Sequence, residues 1–132
     1  MAKKRVFISF DYDNDLRYKN MLLAWNSHDD FDFEFYDGSL KEAINSSNAT
    51  YIKSKIKPMI EKSSHILCIV GKESGSNTWI NWEVQTGVDN RKKLVGVKLD
   101  RGYESPPALK NNNASWAMSY TFDSIKKALD SA

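Results

Sequence analysis

The chain has 132 residues, 41% hydrophobic and 27% charged, and its 19 Lys and Arg against 17 Asp and Glu leave a formal charge of +2. That length predicts one domain over residues 1–132, large enough to bury a core without a metal or disulfide staple. So small a charge excess argues against a nucleic-acid partner or a membrane surface.

The basic start, Met1 to Arg5, precedes the short run Val6-Phe7-Ile8-Ser9-Phe10. Five residues fall short of the ~7–15 apolar residues of a secretory signal, so the run is predicted as a buried first strand and the protein as cytoplasmic. No stretch approaches the ~18 apolar residues of a membrane span. Asp11 to Asp15 is a turn-and-cap cluster, after which Tyr18, Leu22 and Trp25 recur at helical spacing, predicting a helix over 15–27. Phe31, Phe33 and Phe35 alternate with Asp32, Glu34 and Tyr36, the period of a strand with one apolar face near a sheet edge. Residues 37–50 form a long polar connection rich in Ser and Asn. Ile52, Ile56, Met59 and Ile60 make a helical stripe that Pro58 is expected to delay, kink or distort.

Ser64 to Val70 is the most apolar segment and is predicted as a central parallel strand. It contains the only cysteine, Cys68, whose setting is that of a packing residue and which has no disulfide partner within the chain. Residues 71–77 form a loop and 79–88 a helix, with Ser76 or Asn77 as cap. Residues 94–99 form a fourth strand, and a loop holding Pro106-Pro107 follows. Tyr120-Thr121-Phe122 is predicted as the fifth strand, and 123–130 as a closing helix capped by Asp123 or Ser124. The alternation implies an α/β, flavodoxin-like three-layer fold with a five-stranded parallel sheet. Ligands in such sheets sit at the carboxyl ends of the strands, which directs attention to the loops at 10–15, 36–50 and 71–78.

Several chemistries of this topology fail on those loops. A phosphotransfer receiver needs an Asp after the third strand and a Lys after the fifth, and neither Val70-Gly71-Lys72 nor Tyr120-Thr121-Phe122 supplies it. The acidic turn after the first strand would repel a flavin phosphate, and Gly71-Lys72-Glu73-Ser74-Gly75 lacks the spacing of a phosphate loop. His28 and His65 are far apart and no Cys/His cluster exists, so no metal is expected. The informative stretch is Ser74 to Val84. Trp79 and Glu83, four apart, share a helix face, and a carboxylate near a helix start is expected to be held ionised by the dipole.

Val6-Phe7-Ile8-Ser9-Phe10-Asp11, then Ser64 to Gly71, then Trp79-Ile80-Asn81-Trp82-Glu83 occur in an order that resembles the TIR-like domain family. The likeness covers roughly residues 4–100 and is to the bacterial and archaeal branch with a W-x-x-W-E box, which includes the TIR-like signalling proteins of the Thoeris antiphage system. It implies cleavage of NAD+ at the nicotinamide–ribose bond, with cyclisation of ADP-ribose to a signalling nucleotide in some members. It implies Glu83 as the catalytic carboxylate, with Phe10, Asp11, Asp37, Ser74 and Trp79 lining the substrate cleft. NAD+ is then substrate and no cofactor is expected; a separate effector would respond to the product, and self-assembly is a further implied contact. Two other readings stay open: a non-catalytic interaction module using the 37–50 loop, and a nucleoside hydrolase or deoxyribosyltransferase-like enzyme.

Overall fold

In the computed structural model, residues 4–27, 31–36 and 49–132 are described, with the side chains of Tyr12, Asp13, Tyr36 and Ala49 set aside. Five parallel strands run β1 (Lys4–Ser9), β2 (Phe33–Tyr36), β3 (His65–Val70), β4 (Lys93–Lys98) and β5 (Ser115–Ala117). Their order across the sheet is β2-β1-β3-β4-β5. The helices are α1 (Tyr12–Ala24), α2 (Ala49–Glu61), α3 (Thr78–Asp89), α4 (Pro107–Lys110) and α5 (Phe122–Ser131). This is the expected flavodoxin-like α/β arrangement, and β2 does lie at an edge. No described helix is long and apolar enough to cross a membrane.

Two cores explain the layering. Strand side chains alternate between faces, so each strand feeds both. Val6, Ile8, Leu67, Ile69, Val95 and Val97 pack with Leu22 of α1, Phe31, Phe33, Phe35 and the α5 residues Ile125 and Leu129. Phe7, Ile66, Cys68, Val70 and Leu94 pack on the other face with Ile52, Ile56 and Ile60 of α2 and with Ile80 and Val84 of α3. All six β3 residues are buried, as the apolar run demanded of a central strand. Gly87 lets α3 approach that strand, since a Cβ there would lie 2.5 Å from Ile66 Cγ1.

The structure corrects several element expectations. The fifth strand is Ser115–Ala117, not Tyr120–Phe122, and Phe122 opens α5. An edge strand needs only one inward residue per pleat, and Ala117 at 1% exposure suffices, so no apolar run marks it. The Tyr120 ring instead packs edge-on to Tyr18 at 5.1 Å. Thr121 caps α5, its Oγ1 accepting from the Ser124 N–H at 3.2 Å. Helix α1 starts at Tyr12, three residues early, because the Asp11 carbonyl accepts from the Asp15 N–H at 2.8 Å. Pro58 sits inside an unbroken α2, and Ala49 and Thr50, expected in the connection, begin that helix. The four-residue α4 was not anticipated. The rest of the 37–50 connection lies outside the described residues.

Candidate functional site at the carboxyl ends of the strands

The chain leaves β1 toward β2 on one side and reaches β3 on the other, so strand order reverses between β1 and β3. In open α/β sheets a crevice forms at that reversal. Ser9, the last residue of β1, pairs in register with Cys68 of β3. Asn77 opens α3 beside it, its Oδ1 accepting from the Ile80 N–H at 3.1 Å. The second turn of α3 then delivers Glu83 to the end of β1, where Ser9 Oγ donates to Glu83 Oε1 at 2.7 Å.

Glu83 is half-buried by residue surface, yet the protein packed around its carboxyl pushes the pKa up to about 8, with the Ser9 hydrogen bond pulling the other way. The expectation of a dipole-ionised carboxylate is therefore corrected. Dipole influence fades beyond the first turn, and desolvation outweighs what is left. Cys68 is wholly buried, and burial followed by the charges of Glu83 and Asp15 pushes its thiol up, so it carries no thiolate.

The other expected residues are placed differently from one another. Trp79 is half-buried one turn before Glu83, edge-on to Trp82 at 6.1 Å. Lys53 Nζ of α2 lies 5.8 Å from the Trp79 ring and 5.2 Å from Trp82. Phe10 follows Ser9 by one residue and so faces away from it, into the α1 side of the core, with Lys19 Nζ 5.8 Å from its ring. Asp11 caps α1 and is 5% exposed, and its Oδ2 accepts from Asn14 Nδ2 at 2.7 Å. The same amide reaches Glu73 Oε2 at 3.2 Å, tying the β1–α1 turn to the β3–α3 loop. Ser74 has no exposed surface: its Oγ accepts from the Gly71 N–H at 2.9 Å and donates to the Ile69 carbonyl at 3.1 Å. It shapes the loop and offers a ligand no hydroxyl. Asp37 lies outside the described residues.

Two groups escaped the sequence reading. Ser9 was discoverable, since it shares the strand face of Phe7, the face covered by α3. Asp15 is 4% exposed, and its Oδ2 has no hydrogen-bond partner among the described residues. Burial, then repulsion from Asp11, pushes it up to about 6, with Arg17 opposing and Glu73 adding to the rise. A Cβ on Gly71 would lie 2.1 Å from that oxygen, so only glycine fits there. Among the described residues no three His, Cys, Asp or Glu side chains are grouped to hold a metal.

A sequence profile described as Thoeris protein ThsB, TIR-like domain, matches residues 7–103. The chain belongs to that family. The match takes in both the Ser9 end of β1 and the Glu83 turn of α3 of this TIR-like domain. No curated protein matches the chain. Among solved structures, the fold is similar to that of a 2-desoxiribosyltransferase from Leishmania mexicana, with a TM-score of 0.55 and 18% identity, covering 80% of this chain and 76% of that one. At that identity the likeness speaks for the fold.

Proposed function

We propose that this TIR-like domain cleaves NAD+ at the nicotinamide–ribose bond, with Glu83 as the catalytic carboxylate, and passes the ADP-ribosyl group to water or to one of its own hydroxyls. The observation that carries the reading is the Glu83 carboxyl anchored by Ser9 at 2.7 Å where the strand order reverses. Nicotinamide leaves NAD+ as a neutral ring from a cationic one. The electron pair of the C1′–N bond goes to the ring nitrogen, so no general acid has to protonate the leaving group. What the site must supply is negative charge beside the developing oxocarbenium ion and orientation of the ribose hydroxyls, both within reach of one ionised glutamate.

The raised pKa of Glu83 fits this economy. A carboxyl at about 8 is largely protonated in the empty site at neutral pH. A pyridinium cation arriving beside it favours the charged form, so the carboxylate appears where and when positive charge must be balanced. Attack by water gives ADP-ribose, and the proton lost from the water goes to Glu83 or to solvent. Attack by an internal hydroxyl held close gives a cyclic nucleotide. In an antiphage role such a product diffuses to a separate effector that responds to it.

The test compares wild type with Glu83→Gln, both purified and in cells after phage challenge, by separating nicotinamide, ADP-ribose and cyclic products. Nicotinamide release by the wild type alone supports the reading; equal release by both sinks it. Transfer of a deoxyribosyl group between bases is the second reading, supported by the shared fold and by the same need for a carboxylate at a ribose carbon. A deoxynucleoside with a free base, run in parallel, separates the two.

A further inference from the structure

A pocket away from Glu83 lies at the β5 edge of the sheet. Ser9 is on β1 and Trp116 on β5, with β3 and β4 between them. At ~4.8 Å per strand, about 14 Å separates the two strands. A Cβ on Gly96 of β4 would lie 2.5 Å from Trp116 Cζ3 and 2.7 Å from Cε3, so the absent side chain lets the indole lie against the strand backbone. Trp116 as a residue is 36% exposed, and Met118 beyond it 46%. Around the indole is a cavity of ≈ 470 Å³ whose walls include Lys98, Arg101, Tyr103 and Lys110.

The charge around this cavity is one-sided. Lys98 Nζ stands 5.8 Å from the Trp116 ring centroid. Asp100, the acid next to Arg101 in sequence, turns Oδ1 back to the Gly102 N–H at 2.8 Å. Among the described residues, none of Lys98, Arg101 and Lys110 forms an ion pair with a carboxylate. Glu104 is the only acid among the described residues of the wall. An exposed aromatic face beside three cations that lack a carboxylate partner among the described residues suits neither an apolar partner, which would strand the charges, nor a simple anion, which would leave the indole unused. It suits one molecule that carries both a flat ring and a phosphate.

We propose that this pocket binds a phosphorylated aromatic ligand of nucleoside monophosphate size, either a free mononucleotide or the corresponding end of a dinucleotide. The base stacks at Trp116, and Arg101 and Lys110 hold the phosphate. The open groove of ≈ 470 Å³ has room for such a molecule to lie along it with one side in solvent. The assignment does not depend on Glu83 being catalytic, because its readout is binding.

The test is calorimetric titration of the full chain with AMP, adenosine and inorganic phosphate at low salt. AMP is expected to bind one to one, with adenosine and phosphate each roughly tenfold weaker or more, since stacking and phosphate contacts each contribute. The surface double variant Arg101→Ala/Lys110→Ala should weaken AMP roughly tenfold, Trp116→Ala by a similar factor and Trp116→Phe less, because a phenyl ring still stacks. Glu83→Gln should leave AMP affinity unchanged. No AMP binding at millimolar concentration, equal binding by the double variant, or loss of binding in Glu83→Gln would each overturn the proposal. The double variant alters only side chains at the pocket rim, so it decides the matter even if Trp116→Ala fails to fold. NAD+ titrated into Glu83→Gln with and without the double substitution identifies the source. A dependence on Arg101 and Lys110 assigns the pocket to one end of the dinucleotide, and independence assigns it to a free mononucleotide.

Discussion

Replacing Glu83 by Gln removes the most strongly perturbed carboxyl of the site while keeping its size and an oxygen for Ser9. Burial pushes that carboxyl up to about 8 from an ordinary 4.5. Between those two values the folded chain holds a proton that the unfolded chain has released. The folded state therefore binds more protons, and stability falls as pH rises through the window. At ~1.4 kcal/mol per pH unit, the interval sets a ceiling of ~5 kcal/mol. Residual solvent contact of the half-buried side chain screens part of that, leaving an expected effect of about 2 kcal/mol. Gln has no proton to lose, so Glu83→Gln should match wild type near pH 5 and exceed it by about 2 kcal/mol near pH 8.5. Urea unfolding followed by tryptophan fluorescence at several pH values measures this, and taking the difference between the two proteins cancels every other titration. A difference that stays constant with pH would refute the burial argument. Wild type gaining on the variant toward alkaline pH would reinstate the helix dipole as the stronger influence.

Ser9→Ala removes the hydrogen bond that opposes the rise at Glu83, so the pH profile of kcat/KM for NAD+ cleavage should move to the alkaline side, with a greater loss at pH 7 than at pH 9. The same variant should lose about 1 kcal/mol of stability at pH 5, where Glu83 is protonated in both proteins. Asp15→Asn should raise the melting temperature above pH 6 and have little effect near pH 4, because Asp15 is held up to about 6 and its ionised form is the costly one. A thermal scan at both pH values checks it, and a variant less stable at pH 8 than at pH 4, relative to wild type, contradicts it. Gly87→Ala drives a methyl to 2.5 Å from Ile66 Cγ1, so a loss of about 1–3 kcal/mol in urea is expected. Activity should fall with it, since α3 carries Glu83.

Much of the architecture was legible because its signals are local. The β3 run, the alternation of Phe31, Phe33 and Phe35, and the helical stripe of α2 each state their burial in the order of their residues. Where one inward residue was enough, as at Ala117, no pattern existed to be found, and the apolar Tyr120-Thr121-Phe122 drew the strand to the wrong place. At the site, Glu83 was visible through its W-x-x-W-E box, whereas Ser74, placed in the cleft by the family resemblance, is occupied in bracing its own loop.

The sequence by itself determined the α/β alternation, the central β3 and the glutamate on the helix that follows it. Each of these depends on the periodicity of neighbouring residues or on a contiguous motif. Only the tertiary structure decided that Ser9 would meet Glu83, that Phe10 would face the opposite core, and that the carboxyl would be held protonated rather than ionised. Those outcomes turn on which residues, 74 positions apart in the Ser9–Glu83 pair, are brought together at the end of a shared sheet. They turn equally on how much water that meeting removes, a quantity no local pattern carries.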